Sequence, residues 1–191
     1  MNFYNEAANF IKAMESFSSK AYWDVNAWRI GYGSDTITLP DGTFKKVIKT
    51  DTITRELAAL DLQRRIKKEF EPTIIKQIGK NYSKIKSNAK IALISLAYNY
   101  GSITHPEIIK AARLGDSNEI GKAIFDSTIN DNKNNPFYQV NRIRRKKEWN
   151  KAIEPDQDLT NISSGSIKPN NLFFFGIIAA GAIYFMLQQN K

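Results

Sequence analysis

Two carboxylates, Glu15 and Asp24, bracket a short segment that ends in Ala21-Tyr22-Trp23. The chain then passes through Val25, Asn26, Ala27, Trp28 and Arg29 into Ile30-Gly31-Tyr32-Gly33. A paired acid and carboxylate is what cleavage of a glycosidic bond requires. One group gives a proton to the leaving oxygen, and the other handles water or the developing cation. Carboxylate pairs at arbitrary spacing are mostly solvated surface charges. The ordered set of acid, aromatic-aromatic-acid and Gly-aromatic-Gly is much rarer. Other chemistries lack their residues. There is no cysteine, which excludes disulfides, thiolate metal sites and a cysteine nucleophile. The single histidine, His105, precedes Pro106 in a helix-entry turn and reads as structural; it cannot build a histidine-rich metal site. No cofactor and no metal is expected.

The elements that must position the two acids are readable in outline. Phe3, Ala7, Phe10, Ile11 and Met14 fall at helical spacing, which predicts an amphipathic helix over 2–15, ending near Glu15, rather than a signal peptide. A small strand-and-turn region follows to about residue 50, marked by Gly31, Gly33 and the turn Pro40-Asp41-Gly42. Thr54 reads as the cap of the next helix, with Glu56 at its positive end and Leu57, Leu60, Ile66 and Phe70 as its apolar stripe. Pro72 ends or interrupts it. Residues 88–99 are apolar nearly all round, as a helix enclosed by others must be, with Gly101 as its stop and Asn99 as a residue at its end. Pro106 opens a further helix that Gly115 closes, and Ser117 to about Thr128 forms another. A polar loop over 131–136 leads to a last basic helix over 140–153, carrying Arg142, Arg144, Arg145, Lys146 and Lys147. Helix, small β region, then many helices is an α+β order. A cleft between the two parts is the natural place for a polymer.

Charge and the C-terminal third add the partners. The net charge of +9 draws the protein toward polyanions. The basic helix has no second helix at a short turn upstream, so a solvated face that closes the cleft fits better than nucleic-acid recognition, and no nucleic-acid partner is expected. Residues 155–171 read as a flexible linker rich in Asp, Gln, Asn, Ser, Gly and Pro. Residues 172–187 are uncharged and apolar and read as one transmembrane helix, followed by a polar tail over 188–191. The competing reading of that segment is a helix packed on the domain. The domain itself is bounded at 1–154.

Five blocks in order resemble the phage-type lysozymes, the muramidases and endolysins: Glu15 to Asp24 with Ala21-Tyr22-Trp23-Asp24; Ile30-Gly31-Tyr32-Gly33; Asp51-Thr52-Ile53-Thr54-Arg55-Glu56; Ala92 to Gly101; and Asn141 to Glu148, with Gly115-Asp116 between the last two. The resemblance covers nearly all of residues 3–153. It implies a lysozyme-like fold and cleavage of the β-1,4 bond between N-acetylmuramic acid and N-acetylglucosamine in peptidoglycan. Glu15 matches the general acid and Asp24 the second carboxylate. The family's water-holding threonine is replaced by Arg29, and the loop after Asp24 is one residue shorter. Asn26 and Ser34 are substitutes for that role, and Arg29 is placed to pair with Asp24 or Glu15. Candidates for substrate contact are Tyr22, Tyr32, Asn99, Arg144 and Arg145, although Tyr22 and Trp23 fit plain core aromatics better than sugar stacking. The implied whole is a membrane-anchored phage muramidase, in a virion membrane or the host inner membrane, acting at infection or at lysis beside other virion proteins. The alternatives are a non-catalytic, lysozyme-like structural virion membrane protein that binds peptidoglycan, a lytic transglycosylase, and a nucleic-acid-binding protein.

Overall fold

The computed structural model describes residues 2–129 and 131–156. The expected transmembrane segment, its tail and the linker beyond Asp156 lie outside the described residues. No helix among the described residues is long and apolar enough to cross a membrane.

The first helix, α1 (Phe3–Lys12), starts where Asn2 accepts a hydrogen bond from the Tyr4 amide, and it buries Ala7, Ala8 and Ile11. It ends three residues before Glu15, earlier than the periodicity predicts. The amides of Met14 and Glu15 both fold back onto the Ile11 carbonyl, at 2.8 and 3.1 Å. Glu15 thus sits in the closing turn at the C-terminal end of α1.

The β region is two separate hairpins. Strands β1 (Ser18–Asp24) and β2 (Ala27–Gly31) pair antiparallel with Tyr22 opposite Arg29, Trp23 opposite Trp28 and Asp24 opposite Ala27. Strand side chains alternate between faces. Tyr22, Asp24 and Arg29 therefore share one face, and the two tryptophans share the other. Trp23 is 56% exposed, so it is no core aromatic; its ring meets Trp28 edge-on at 5.6 Å. The two-residue connection forces Val25 to φ +49°, a left-handed conformation that β-branched residues rarely adopt. The second hairpin, β3 (Thr36–Thr38) and β4 (Phe44–Lys46), turns at Asp41-Gly42, where Asp41 accepts from the Thr43 amide.

Helix α2 (Arg55–Arg65) is capped by Thr54 as predicted, but its buried stripe is Ala58, Asp61 and Leu62. Leu57 and Leu60 are exposed. The reason is Asp61, which is wholly buried and accepts from the hydroxyls of Ser34 at 2.6 Å and Thr38 at 2.8 Å. Arg64 adds a guanidinium contact at 3.1 Å. Asp61 thus takes the inner face, and its buried charge is tolerable there only because these partners satisfy it. The chain then widens into a π-helical turn, Ile66–Phe70, in which the Glu71 amide reaches back to the Ile66 carbonyl. Pro72 sits in the first turn of α3 (Glu71–Ile78), where no amide donor is needed, so the helical course is bent rather than ended.

Helix α4 (Ser87–Tyr100) is the centre. Ala89, Ile91, Ala92, Leu93, Ile94, Leu96 and Ala97 are all buried, and α1, α3, α6 and α7 pack around it. Its C-terminus runs through Tyr100 to Gly101, so Asn99 lies inside the last turn. Helices α5 (Pro106–Leu114), α6 (Ser117–Asp126) and α7 (Tyr138–Ile153) complete the helical lobe. The fold reaches past residue 154. The Asp156 carboxylate accepts from the Ser87 and Asn88 amides at 3.0 Å each and caps α4, and the Asn88 side chain donates to the carbonyls of Glu154 and Pro155. The architecture is α+β, with small two-stranded sheets beside a mostly helical lobe.

Gly31 is where hairpin and helices lock. Its φ is +63°, and a Cβ built there would stand 2.8 Å from the Ala58 Cβ of α2. Gly31→Ala should lower stability by about 1–3 kcal/mol, from overpacking together with the left-handed backbone. Urea unfolding measures this, and an unchanged midpoint would contradict the close approach.

Candidate active site

Glu15 presents a side chain that is about one-fifth exposed. Its Oε1 accepts from Arg144 Nη1 at 2.6 Å. No other protein group among the described residues bonds this carboxyl, so Oε2 has no protein partner. The guanidinium that holds Glu15 thus comes from the closing helix α7 and not from Arg29.

Arg144 is itself aimed from behind. Its Nε lies 3.3 Å from Glu148 Oε1, one turn along α7, and its Nη2 reaches the Ser95 carbonyl of α4 at 3.4 Å. Glu148 is fully buried and accepts from the Ser95 hydroxyl at 2.6 Å and from Arg145 Nη2 at 3.0 Å. Burial pushes the Glu148 carboxyl up from the ordinary glutamate range, against the opposing pull of Arg145, Arg144 and the Ser95 hydrogen bond. Burial also works against the charge on Arg144, but Glu15 and Glu148 outweigh it and hold that guanidinium above its ordinary value. Arg145 is drawn below its ordinary value, chiefly by burial.

Asp24 closes β1 and is less enclosed, with 42% of its side chain exposed. Arg29 Nε stands 3.8 Å from its Oδ2, and Arg29 Nη1 stands 3.9 Å from Asp35 Oδ1. Tyr22 connects the two acids. Its hydroxyl is pushed up by burial first, then by the charges of Asp24 and Glu15, with Arg29 opposing. Both carboxylates and Arg29 therefore bear on one phenol. Tyr98 is partly buried against the core, and its hydroxyl is raised by burial and then by Glu15. That hydroxyl donates a short hydrogen bond to the Tyr32 carbonyl, which ties α4 to the glycine turn.

The other sequence candidates divide. Tyr22 lies on the hairpin face that carries Asp24 and Arg29. Tyr32 is buried and packs against Phe17 at 5.4 Å. Arg145 is wholly buried, donates to Asn99 Oδ1 at 3.1 Å and lies over the Tyr100 ring, so it stiffens the end of α4 instead of facing a glycan. Asn99 is exposed, but its carbonyl oxygen is engaged by that contact. Ser34 is buried and committed to Asp61, away from any water beside Asp24. Asn26 is exposed at the hairpin tip. Sequence reasoning gave no role to Ser95, Asp61 and Asp35, and it met Glu148 only as the last residue of a family block, without its buried role. A glutamate following two arginines at helical spacing, with an apolar helix upstream, was the available signal for that role. No group of acids and histidine among the described residues is arranged to hold a metal ion.

A carboxyl held by a guanidinium of α7 and a more open carboxylate at the end of β1 are the two acids that glycosidic cleavage would need. The family model of phage lysozymes matches residues 12–148, which include every residue of this site, and the chain belongs to that family. No curated protein matches the chain. Family and fold together make it a lysozyme-type peptidoglycan hydrolase.

Removing Glu148 would leave two guanidinium groups facing each other in the interior. Glu148→Ala should cost roughly 3–5 kcal/mol, the scale for breaking a buried ion pair on one side. Chemical denaturation measures it; a loss below 1 kcal/mol would mean that Arg144 and Arg145 are satisfied by other groups.

Proposed function

We propose that this protein hydrolyses the β-1,4 bond between N-acetylmuramic acid and N-acetylglucosamine, with Glu15 as the general acid and Asp24 as the second carboxylate. The observation that carries this reading is the family match over residues 12–148, which takes in both carboxylates. Glu15 is held by Arg144 of α7, and Asp24 shares a hairpin face with Tyr22 and Arg29. Arg144 holds Oε1 and fixes the direction of the carboxyl, so Oε2 is the oxygen that presents a proton to the leaving group. Asp24, open to the groove, either steers water or stabilises the oxocarbenium-like state. Substrate contact falls to Tyr22 and to the groove-facing side of Arg144.

A second reading is favoured by the same ion pair. A glutamate held at 2.6 Å by a guanidinium resembles a structural contact, which fits a non-catalytic lysozyme-like protein that binds peptidoglycan. Clearing of a peptidoglycan suspension separates the two. Glu15→Gln should reduce the rate by about 10²–10⁴-fold, the usual range for losing a general acid. Equal clearing by wild type and variant would remove Glu15 from this role. New reducing ends on muramic acid identify hydrolysis, and anhydro sugars identify a lytic transglycosylase.

The anchor is part of the same proposal. Residues 172–187 span a bilayer in a virion membrane or the host inner membrane, and the segment after Asp156 tethers the catalytic domain within reach of the wall at infection or at lysis. The support is the uncharged apolar run in the sequence. The full chain should float with lipid vesicles, and a chain cut after Asp156 should stay behind and remain folded. Co-flotation of both would place the membrane contact in the domain itself. The cut belongs after Asp156, since an earlier one would uncap α4.

A further inference from the structure

We propose that Asp35 is a positioning residue for Asp24 and acts through Arg29. The inference deepens the catalytic reading above and rests on Asp24 being the second carboxylate.

Arg29 sits on the groove face of the first hairpin, opposite Tyr22 and two residues from the partner of Asp24. Its guanidinium stands between two acids, 3.8 Å from Asp24 and 3.9 Å from Asp35. Neither contact is a hydrogen bond at that length. The Nε atom is buried and has no hydrogen-bond partner. A charged donor left unspent between two carboxylates is held by balanced attraction rather than by a latch.

Asp35 is the fixed side of that balance. Lys46 of β4 donates to its Oδ2 at 2.7 Å, and Arg65 at the end of α2 lies 3.2 Å from its Oδ1. Burial works against its charge, but the Lys46 hydrogen bond and the charges of Arg65, Lys46 and Arg29 hold its carboxyl below the usual aspartate range. It therefore stays anionic under working conditions and keeps pulling on Arg29.

The alternative arrangement is easy to specify. An arginine and a carboxylate with nothing else in reach close into a two-pronged pair, which engages both oxygens. Asp24 latched in that way could not turn an oxygen toward a water molecule or a sugar ring. Asp35 prevents the latch by competing for the same guanidinium. Arg29 is thereby made compatible with a working Asp24. The anchors of Asp35 lie on β4 and α2, so the second hairpin and the helical lobe both report to the catalytic carboxylate.

The test uses the full-length protein. Asp35→Asn is isosteric and neutral, and Asp35→Ser is a smaller neutral replacement should the amide fail to pack. Either should lower kcat about tenfold with KM unchanged, the effect of a misoriented reacting group. Asp35→Glu should restore most of the rate. In an Arg29→Gln background, Asp35→Asn should have no further effect, because nothing remains to latch. The Arg29 Nε–H resonance should move downfield in Asp35→Asn as it gains a charged acceptor. Rate losses that multiply in the double variant, a change confined to KM, or an unmoved resonance would each overturn the proposal. The resonance is read without turnover. An inactive wild type with a moving resonance defeats the enzymatic reading alone, and an active one with a still resonance defeats this inference alone.

Discussion

Two guanidinium groups on one buried carboxylate hold the helical side of the site together. Glu148 has no exposed surface, and Arg144, Arg145 and Ser95 all converge on it. Such a cluster is expensive to desolvate and is tolerable only when each charge has a partner. Its geometry then separates two neighbouring arginines by task. One is buried and holds the end of α4 through Asn99 and Tyr100, and the other reaches Glu15. The direction of the Glu15 carboxyl is therefore decided by the packing of α7, whose Arg144 lies 129 residues further along the chain.

The opposite wall of the groove depends on a second polar interior. Asp61 gathers the hydroxyls of Ser34, Thr36 and Thr38 beneath the hairpins and is braced by Arg64. The two systems touch through aromatic residues. Tyr98 reaches from α4 to the Tyr32 carbonyl, while Gly31 allows Ala58 of α2 to press against the strand end.

Much of this arrangement was legible in the residues. Thr54, Pro106, Gly101 and Gly115 mark helix ends by local backbone chemistry, which acts over a few residues and can be read in order. The spacing of Glu15, Asp24 and the glycine turn could be read in the same local way. What stayed hidden depends on contacts between distant residues. Leu57 and Leu60 look like a core stripe until Asp61 claims the inner face for three hydroxyls supplied by the hairpins. Arg145 looks like a solvated cation until Glu148 and Asn99 are placed around it. Whether Arg29 would meet Glu15 or Asp24 depended on a strand register that spacing alone leaves undetermined.

The fastening of Asp156 to the start of α4 has a mechanical consequence. Ser87 and Ser95 are eight residues apart on one helix, so the exit point lies roughly 12 Å along the axis from the contact that aims Arg144. Force applied through the C-terminus would be shared between the last turn of α7 and, through the Asp156 carboxylate, the first turn of the most deeply enclosed rod in the molecule.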